Sequence, residues 1–220
     1  MKENNSICAY AHQSETTKFI TDNPCCLVTS DPGTGKTRSV LDAHIQWGGK
    51  TLVLAPLSIL EAAWVDDIKK FQPDINYGVA YAKNRQKVFE DNSLDMVITN
   101  FEAVNFLVKN QQLLTNFTNL VIDEFTAFKN KDAKRSKNIK TLSTLFRRRV
   151  GMSGTPNTNS ILDLWHPVSL IDEGVRLGSR YYSYRNQVCT PQFNGFANVW
   201  IDKPGIEETV ADLLKDITIR

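Results

Sequence analysis

Short apolar runs rich in β-branched residues recur along the chain, at Cys25–Thr29, Thr51–Ala55, Gly78–Tyr81, Met96–Thr99, Leu120–Ile122 and Arg149–Met152. Segments with helical spacing separate them: Lys36–Trp47, Leu60–Phe71, Asn84–Glu90, Glu102–Lys109 and Ser136–Phe146. Alternation of the two kinds predicts βαβ units around a mainly parallel sheet. The runs are continuously apolar, which predicts helices on both faces of that sheet and a three-layer α/β sandwich. Beyond residue 159 the pattern changes. Ile161–Ile171 and Glu207–Ile217 have helical spacing, while Tyr181–Tyr184 and Phe193–Trp200 are aromatic-rich and broken by Pro and Gly. The expected organisation is a core over residues 1–159, with residues 160–220 as a peripheral extension of the same lobe.

Composition narrows the class without naming a chemistry. The chain has 220 residues, 41% of them hydrophobic and 23% charged, which excludes a disordered or fibrous protein. A formal charge of +2 gives no global basic signature, so nucleic acid would have to be held by local patches. Cys8, Cys25, Cys26 and Cys189 form no C-x-x-C pair. Cys25 and Cys26 are adjacent in an apolar run and should point to opposite faces of a strand, so buried free thiols are expected rather than a zinc site. The first residues lack an apolar signal core, and no stretch approaches the ~18 apolar residues that span a bilayer. A cytoplasmic protein with no membrane partner is expected.

Candidate chemistry begins at Ser30–Thr37, S-D-P-G-T-G-K-T, between a predicted strand and a predicted helix. That is the setting of a phosphate-binding loop, although Ser30 stands where the strict pattern has glycine. Gly33 and Gly35 permit close backbone approach, and the loop amides and helix N-terminus face an anion. Asp31, Pro32, Gly33, Thr34, Gly35, Lys36, Thr37 and Arg38 are therefore the nucleotide-binding candidates. Lys36 would reach the β- and γ-phosphates, and Thr37 would give its hydroxyl to Mg²⁺. Further on, Asn119–Glu124 is an apolar strand ending in two carboxylates. Asp123 would hold Mg²⁺ and Glu124 would activate the attacking water, making Lys36 and Glu124 the catalytic candidates.

Taken together with later segments, the chain resembles the first lobe of superfamily-two helicases, and among them the Swi/Snf-like translocases. His12-Gln13 looks like the adenine-reading glutamine upstream of motif I, which is Ser30–Thr37. Leu54–Leu60, L-A-P-L-S-I-L, is similar to motif Ia, and Ile98–Glu102 to an I-T-T-Y-E segment. Asp123–Asn130, D-E-F-T-A-F-K-N, resembles motif II; Ser153–Pro156 with Asn157 and Asn159-Ser160 resembles motif III; Asp163-Leu164-Trp165 resembles the E-L-W that follows. The resemblance covers nearly the whole chain. It implies a RecA-like fold in which ATP and Mg²⁺ sit between two lobes, nucleic acid lies across both, and hydrolysis drives movement along duplex DNA. It adds Gln13 to the nucleotide site, assigns coupling to Thr126, Ser153, Gly154 and Thr155, and places backbone contacts to nucleic acid at Pro56, Leu57, Ser58, Thr99 and Asn100.

Two departures qualify that picture. Thr126 stands where motif II often carries histidine, so coupling there would use a hydroxyl. Nothing after motif III resembles the second lobe with its arginine finger, so a second RecA-like lobe is expected from a longer parent chain or a partner. Turnover by this chain alone should then be slow. The compact motif spacing resembles phage-encoded relatives, for which the compartment would be the host cytoplasm. A non-catalytic, ATP-gated module that regulates a partner motor shares every motif. A small nucleotide kinase would need a lid with arginines and lacks motifs Ia and III.

The remaining residues admit plainer readings. Lys129, Lys131, Lys134, Arg135, Lys137 and Lys140, followed by Arg147, Arg148 and Arg149, form either a phosphate-contacting patch or a solvated helix face. The tail aromatics could stack bases but suit packing better, and Trp47, Trp64 and Trp165 read as core or helix-flank residues.

Overall fold

A computed structural model describes residues 8–154 and 160–220. The elements run α1 (Ala11–Asp22), β1 (Cys25–Val28), α2 (Lys36–Trp47), β2 (Lys50–Ala55), α3 (Asp66–Phe71), β3 (Tyr77–Ala80), α4 (Arg85–Glu90), β4 (Met96–Asn100) and α5 (Ala103–Leu107). They continue with β5 (Phe117–Asp123), α6 (Lys134–Ser143), β6 (Arg148–Met152), α7 (Trp165–Asp172), α8 (Tyr181–Val188), β7 (Cys189–Phe193), β8 (Asn198–Asp202), α9 (Ile206–Leu214) and β9 (Thr218–Ile219). Among the described residues, one sheet of seven strands has the order β3-β4-β2-β5-β6-β1-β9, and every pairing in it is parallel. The α/β sandwich expected from the apolar runs is therefore present.

Alternate residues of each strand enter two separate cores, as the period of two requires. Leu27, Leu52, Leu54, Val97, Leu120 and Ile122 pack with residues of α5, α6, α7 and α9 on one face. Cys26, Val28, Val53, Ile98, Val121 and Met152 pack with residues of α1, α2 and α3 on the other. Cys25 and Cys26 accordingly sit against opposite cores. Not all thiols are buried, however: Cys26 and Cys189 are, Cys25 is half-buried and Cys8 is exposed. Burial pushes the Cys26 thiol up to about 12.

Three elements depart from the sequence expectations. Helix α1 was not marked by apolar spacing, because its inner face is largely polar: Gln13, Thr16, Thr17 and Ile20 are buried. Its polar atoms bond directly to α2, with Ser39 Oγ donating to the Gln13 carbonyl at 3.2 Å and Thr17 Oγ1 to the Ser39 carbonyl at 3.3 Å. The segment 60–71 is helical but begins as a wider π-type turn over Leu60–Val65 before α3. Within residues 160–220, α8 and the β7–β8 hairpin follow α7, and β9 then returns to the central sheet beside β1. The amide of Leu27 donates to the Ile217 carbonyl at 2.7 Å, and that of Thr29 to the Ile219 carbonyl at 2.9 Å. Among the described residues, no helix is long and apolar enough to cross a membrane.

Candidate nucleotide site and coupling segment

Strands β1, β2, β5 and β6 end at one edge of the sheet, and the loops leaving them form the site. The phosphate loop leaves β1 and closes on itself, with Thr34 Oγ1 donating to the Asp31 carbonyl at 2.8 Å. Gly33 and Gly35 have φ of +81° and +83°, the left-handed region that favours glycine. At Gly35 a Cβ would also lie 2.2 Å from Gln13 Nε2 and displace that amide. Lys36 opens α2, and its ammonium donates to the carbonyls of Ser30 at 2.7 Å and Asp31 at 3.0 Å. Burial lowers its pKa, opposed by the charges of Asp123, Glu124 and Asp31. Thr37 is half-buried in the first turn of α2.

The second component comes from β5. Asp123 is its last residue and is buried. Burial raises its carboxyl from the usual range to about 6; the Glu124 charge adds to this, while the Trp64 hydrogen bond and Lys36 oppose it. That bond runs from Trp64 Nε1 to Asp123 Oδ2 at 3.0 Å. Glu124 adopts φ +55° and ψ +54°, a left-handed conformation uncommon for a residue with a side chain. Such outliers concentrate where surrounding structure over-determines a functional geometry. Glu124 Oε2 accepts a hydrogen bond from Ser153 Oγ at 2.9 Å.

Ser153 and Gly154 leave β6 as the third component. The Ser153 amide donates to the Val28 carbonyl at 3.1 Å, which ties this segment to the root of the phosphate loop. A Cβ on Gly154 would lie 2.8 Å from Pro32 Cγ, so glycine lets the two loops touch. Gln13 supplies the fourth component from α1: its Oε1 accepts from the Tyr10 amide and its Nε2 donates to the Thr34 carbonyl, both at 3.1 Å. His12 Nε2 lies 3.0 Å from the same carbonyl.

The fold thus gathers Gln13, the loop from Asp31 to Thr37, Asp123, Glu124, Ser153 and Gly154. The donors suit a polyphosphate, because loop amides, a helix N-terminus and an ammonium meet there. The hard oxygens of Thr37 and Asp123 suit Mg²⁺. Among the described residues there is no cluster of three or more His, Cys, Asp or Glu able to hold a metal.

Other sequence candidates lie elsewhere. Arg38 is buried against α3: it donates to Asp42 at 3.4 Å and to the Cys8 carbonyl at 3.3 Å, and its guanidinium lies 4.4 Å from the Phe71 ring centroid. These contacts place its guanidinium in helix packing. Thr126 is half-buried in a 3₁₀ turn over Phe125–Phe128. Thr155 lies outside the described residues, as do Pro156, Asn157 and Asn159. Leu57 and Ser58 are exposed and Pro56 half-buried, in the turn after β2. Thr99 and Asn100, by contrast, are buried. Thr99 Oγ1 donates to the Ala80 carbonyl at 2.6 Å, and Asn100 Oδ1 accepts from Arg85 at 3.2 Å. Their side chains serve the sheet, which leaves only their backbone groups to meet a nucleic-acid strand.

The basic stretch divides: Lys129, Lys134, Lys137 and Arg147 are exposed, whereas Lys140, Arg148 and Arg149 make internal contacts. Lys140 donates to the Ser169 carbonyl at 2.5 Å, Arg149 pairs with Glu173, and Arg148 donates to the carbonyls of Ile20 and Thr21. His44 and His166 are buried hydrogen-bond partners of Thr51 and of the Phe128 carbonyl. Sequence reasoning missed the role of Trp64. Its spacing with Leu60 and Ile68 announces a core-facing helix, but nothing local announces a partner 59 residues away.

Comparisons with known proteins agree with this geometry. A family model described as the SNF2-related domain matches residues 6–216. Protein p41 of Acyrthosiphon pisum secondary endosymbiont phage 1 is 28% identical over 170 residues, covering 70% of this chain and 37% of that protein. The ISWI chromatin-remodeling complex ATPase CHR11 of Arabidopsis thaliana is 29% identical over 154 residues, covering 63% of this chain and 14% of that protein. A solved structure of the Sulfolobus solfataricus SWI2/SNF2 ATPase core in complex with dsDNA superposes with a TM-score of 0.78 at 22% identity, covering 98% of this chain and 44% of that one. The chain spans less than half the length of each, and the last likeness shows the fold.

Proposed function

The chain belongs to the SNF2-related domain family, and from that premise we propose that it is the ATP-binding lobe of a DNA-dependent motor ATPase, coupling Mg-ATP hydrolysis to movement along duplex DNA. The observation that carries this reading is the Ser153–Glu124 hydrogen bond, set beside Lys36 and Asp123 at one sheet edge. A simple nucleotide-binding fold needs the loop and the cation ligand. It has no need of a hydroxyl from a third strand end on the residue that handles water.

The roles follow from placement. Loop amides and the α2 N-terminus hold the phosphates, with Lys36 turning from the Ser30 and Asp31 carbonyls toward the β- and γ-phosphates. Thr37 and Asp123 would hold Mg²⁺, which supplies neutralisation of the charge developing on the phosphate oxygens. Glu124 orients the attacking water and takes its proton. Ser153 senses that carboxylate, and Gly154 touches the loop through Pro32, so the segment after β6 links the nucleotide to the rest of the motor. Gln13 reads the base edge while holding the loop at Thr34. Pro56, Leu57 and Ser58 meet the nucleic-acid backbone, positioning a strand without reading its bases.

An arginine delivered from outside the phosphate loop is worth roughly 10³–10⁵ in rate. Arg38, Arg148 and Arg149 are held in other contacts. The family resemblance places the finger on a second RecA-like lobe, in a longer parent chain or a partner. The test is the ATPase rate with and without duplex DNA, repeated with Glu124→Gln. Measurable Mg-ATP binding with slow turnover supports a first lobe. Fast, DNA-stimulated turnover that Glu124→Gln abolishes would show that this chain supplies its own finger and would overturn the half-motor reading.

A further inference from the structure

Trp64 is fully buried, and a buried indole N–H requires an acceptor. The acceptor here is Oδ2 of Asp123, at 3.0 Å. Beyond its larger ring, what the indole adds over Phe or Leu at a core position is this one bond. The residue sits inside the π-type turn Leu60–Val65, whose extra residue per turn rotates the side chains that follow. Such turns are rare and frequent at functional sites. The turn follows β2, which lies directly beside β5 with Leu54 opposite Ile122. The indole therefore reaches the end of β5 from the neighbouring strand's connection.

We infer that Trp64 is a positioning residue for the metal-binding carboxylate: its N–H holds Oδ2 of Asp123, fixing the rotamer that presents Oδ1 to Mg²⁺. The inference rests on the proposed role of Asp123 as a Mg²⁺ ligand. Residues that hydrogen-bond a metal ligand from behind fix its orientation, and their loss typically costs roughly 10–100-fold in metal affinity.

The test measures binding rather than turnover. A fluorescent, non-hydrolysable ATP analogue is titrated into the chain without metal and then at rising Mg²⁺. The variants are Trp64→Phe, Trp47→Phe as a control indole whose N–H bonds His44 at 3.3 Å, and Asp123→Asn. A fourth protein carries benzothienylalanine at position 64, which keeps the indole's shape without its N–H and so guards against loss of folding in the phenylalanine variant. The expected result is unchanged metal-free affinity, with a Mg²⁺ requirement raised about 10-fold or more by both changes at position 64. Trp47→Phe should leave that requirement unchanged. An unshifted Mg²⁺ requirement with benzothienylalanine, while Asp123→Asn shifts it, would overturn the inference. So would an equal loss of metal-free and metal-dependent binding, which marks a packing role. If Asp123→Asn itself leaves the Mg²⁺ requirement unchanged, the reading of Asp123 as ligand fails, and this inference with it.

Discussion

Asp123 combines burial with a hydrogen bond that keeps it usable. Its carboxyl is pushed up to about 6, above the 3.8 of an unperturbed aspartate, chiefly by burial. A group raised in the folded state contributes stability below its unfolded value and loses it as pH rises through the folded value. The nucleotide-free protein should therefore lose about 1 kcal/mol between pH 5 and pH 7.5 from this group. Urea denaturation at the two pH values, for the parent and Asp123→Asn, checks this. The parent should lose more than the variant, and equal losses would refute the linkage. Gly35 gives a second prediction at this scale. Gly35→Ala combines φ +83° with a Cβ 2.2 Å from Gln13 Nε2, so the Gln13 amide must leave the Thr34 carbonyl. Strain of this kind costs on the order of 1–3 kcal/mol. Nucleotide affinity measured by fluorescence should fall at least tenfold, and a variant binding as the parent does would show that Gln13 yields freely.

Among the elements, α1 depends on groups outside itself. Its C-terminal carbonyls at Ile20 and Thr21 accept from Arg148 at 3.0 and 3.1 Å, and the same guanidinium lies 4.9 Å from the Trp47 ring centroid. A cation at a helix C-terminus meets the negative end of its dipole. Arg148→Ala should cost roughly 2 kcal/mol, since hydrogen bonds to charged groups contribute about 1.5–3. Nucleotide affinity should fall as well, because α1 carries Gln13. Chemical denaturation and analogue binding on the same preparation test both effects; lost stability with unchanged affinity would uncouple α1 from the site. Helix α1 also shows why one element was not legible. Its buried Thr16, Thr17 and Gln13 bond within the helix and to α2, and such polar contacts leave no apolar period. Helix α2 was read residue for residue, because a glycine loop opens it and Gly48 closes it.

At the scale of the molecule, residues 160–220 close back onto the nucleotide end of the sheet. The amides of Leu27 and Thr29 are bonded by the carbonyls of Ile217 and Ile219, and Ile217 is buried. Removing residues 215–220 should cost roughly 3.5–5 kcal/mol, from two hydrogen bonds at about 1 each and one buried aliphatic side chain at about 1.5–3. It should also loosen the root of the phosphate loop. Thermal unfolding with and without nucleotide measures this, and an unchanged midpoint would show that β9 is dispensable to β1.

The glycine-rich loop, the Asp123-Glu124 pair and the first six strands were legible because their signals are local: glycine spacing, continuous apolar runs and carboxylates at a strand end. Periodicity and backbone chemistry act over a few residues, so a linear reading captures them. Tertiary structure alone decided which side chains face each other across the site. It placed Arg38 in helix packing and the side chains of Thr99 and Asn100 in the sheet. It also set Ser153 on Glu124, and Trp64 on an aspartate 59 residues away. Those pairings arise from parallel strands ending at one edge, and sheet register brings together residues that no local pattern in the chain connects.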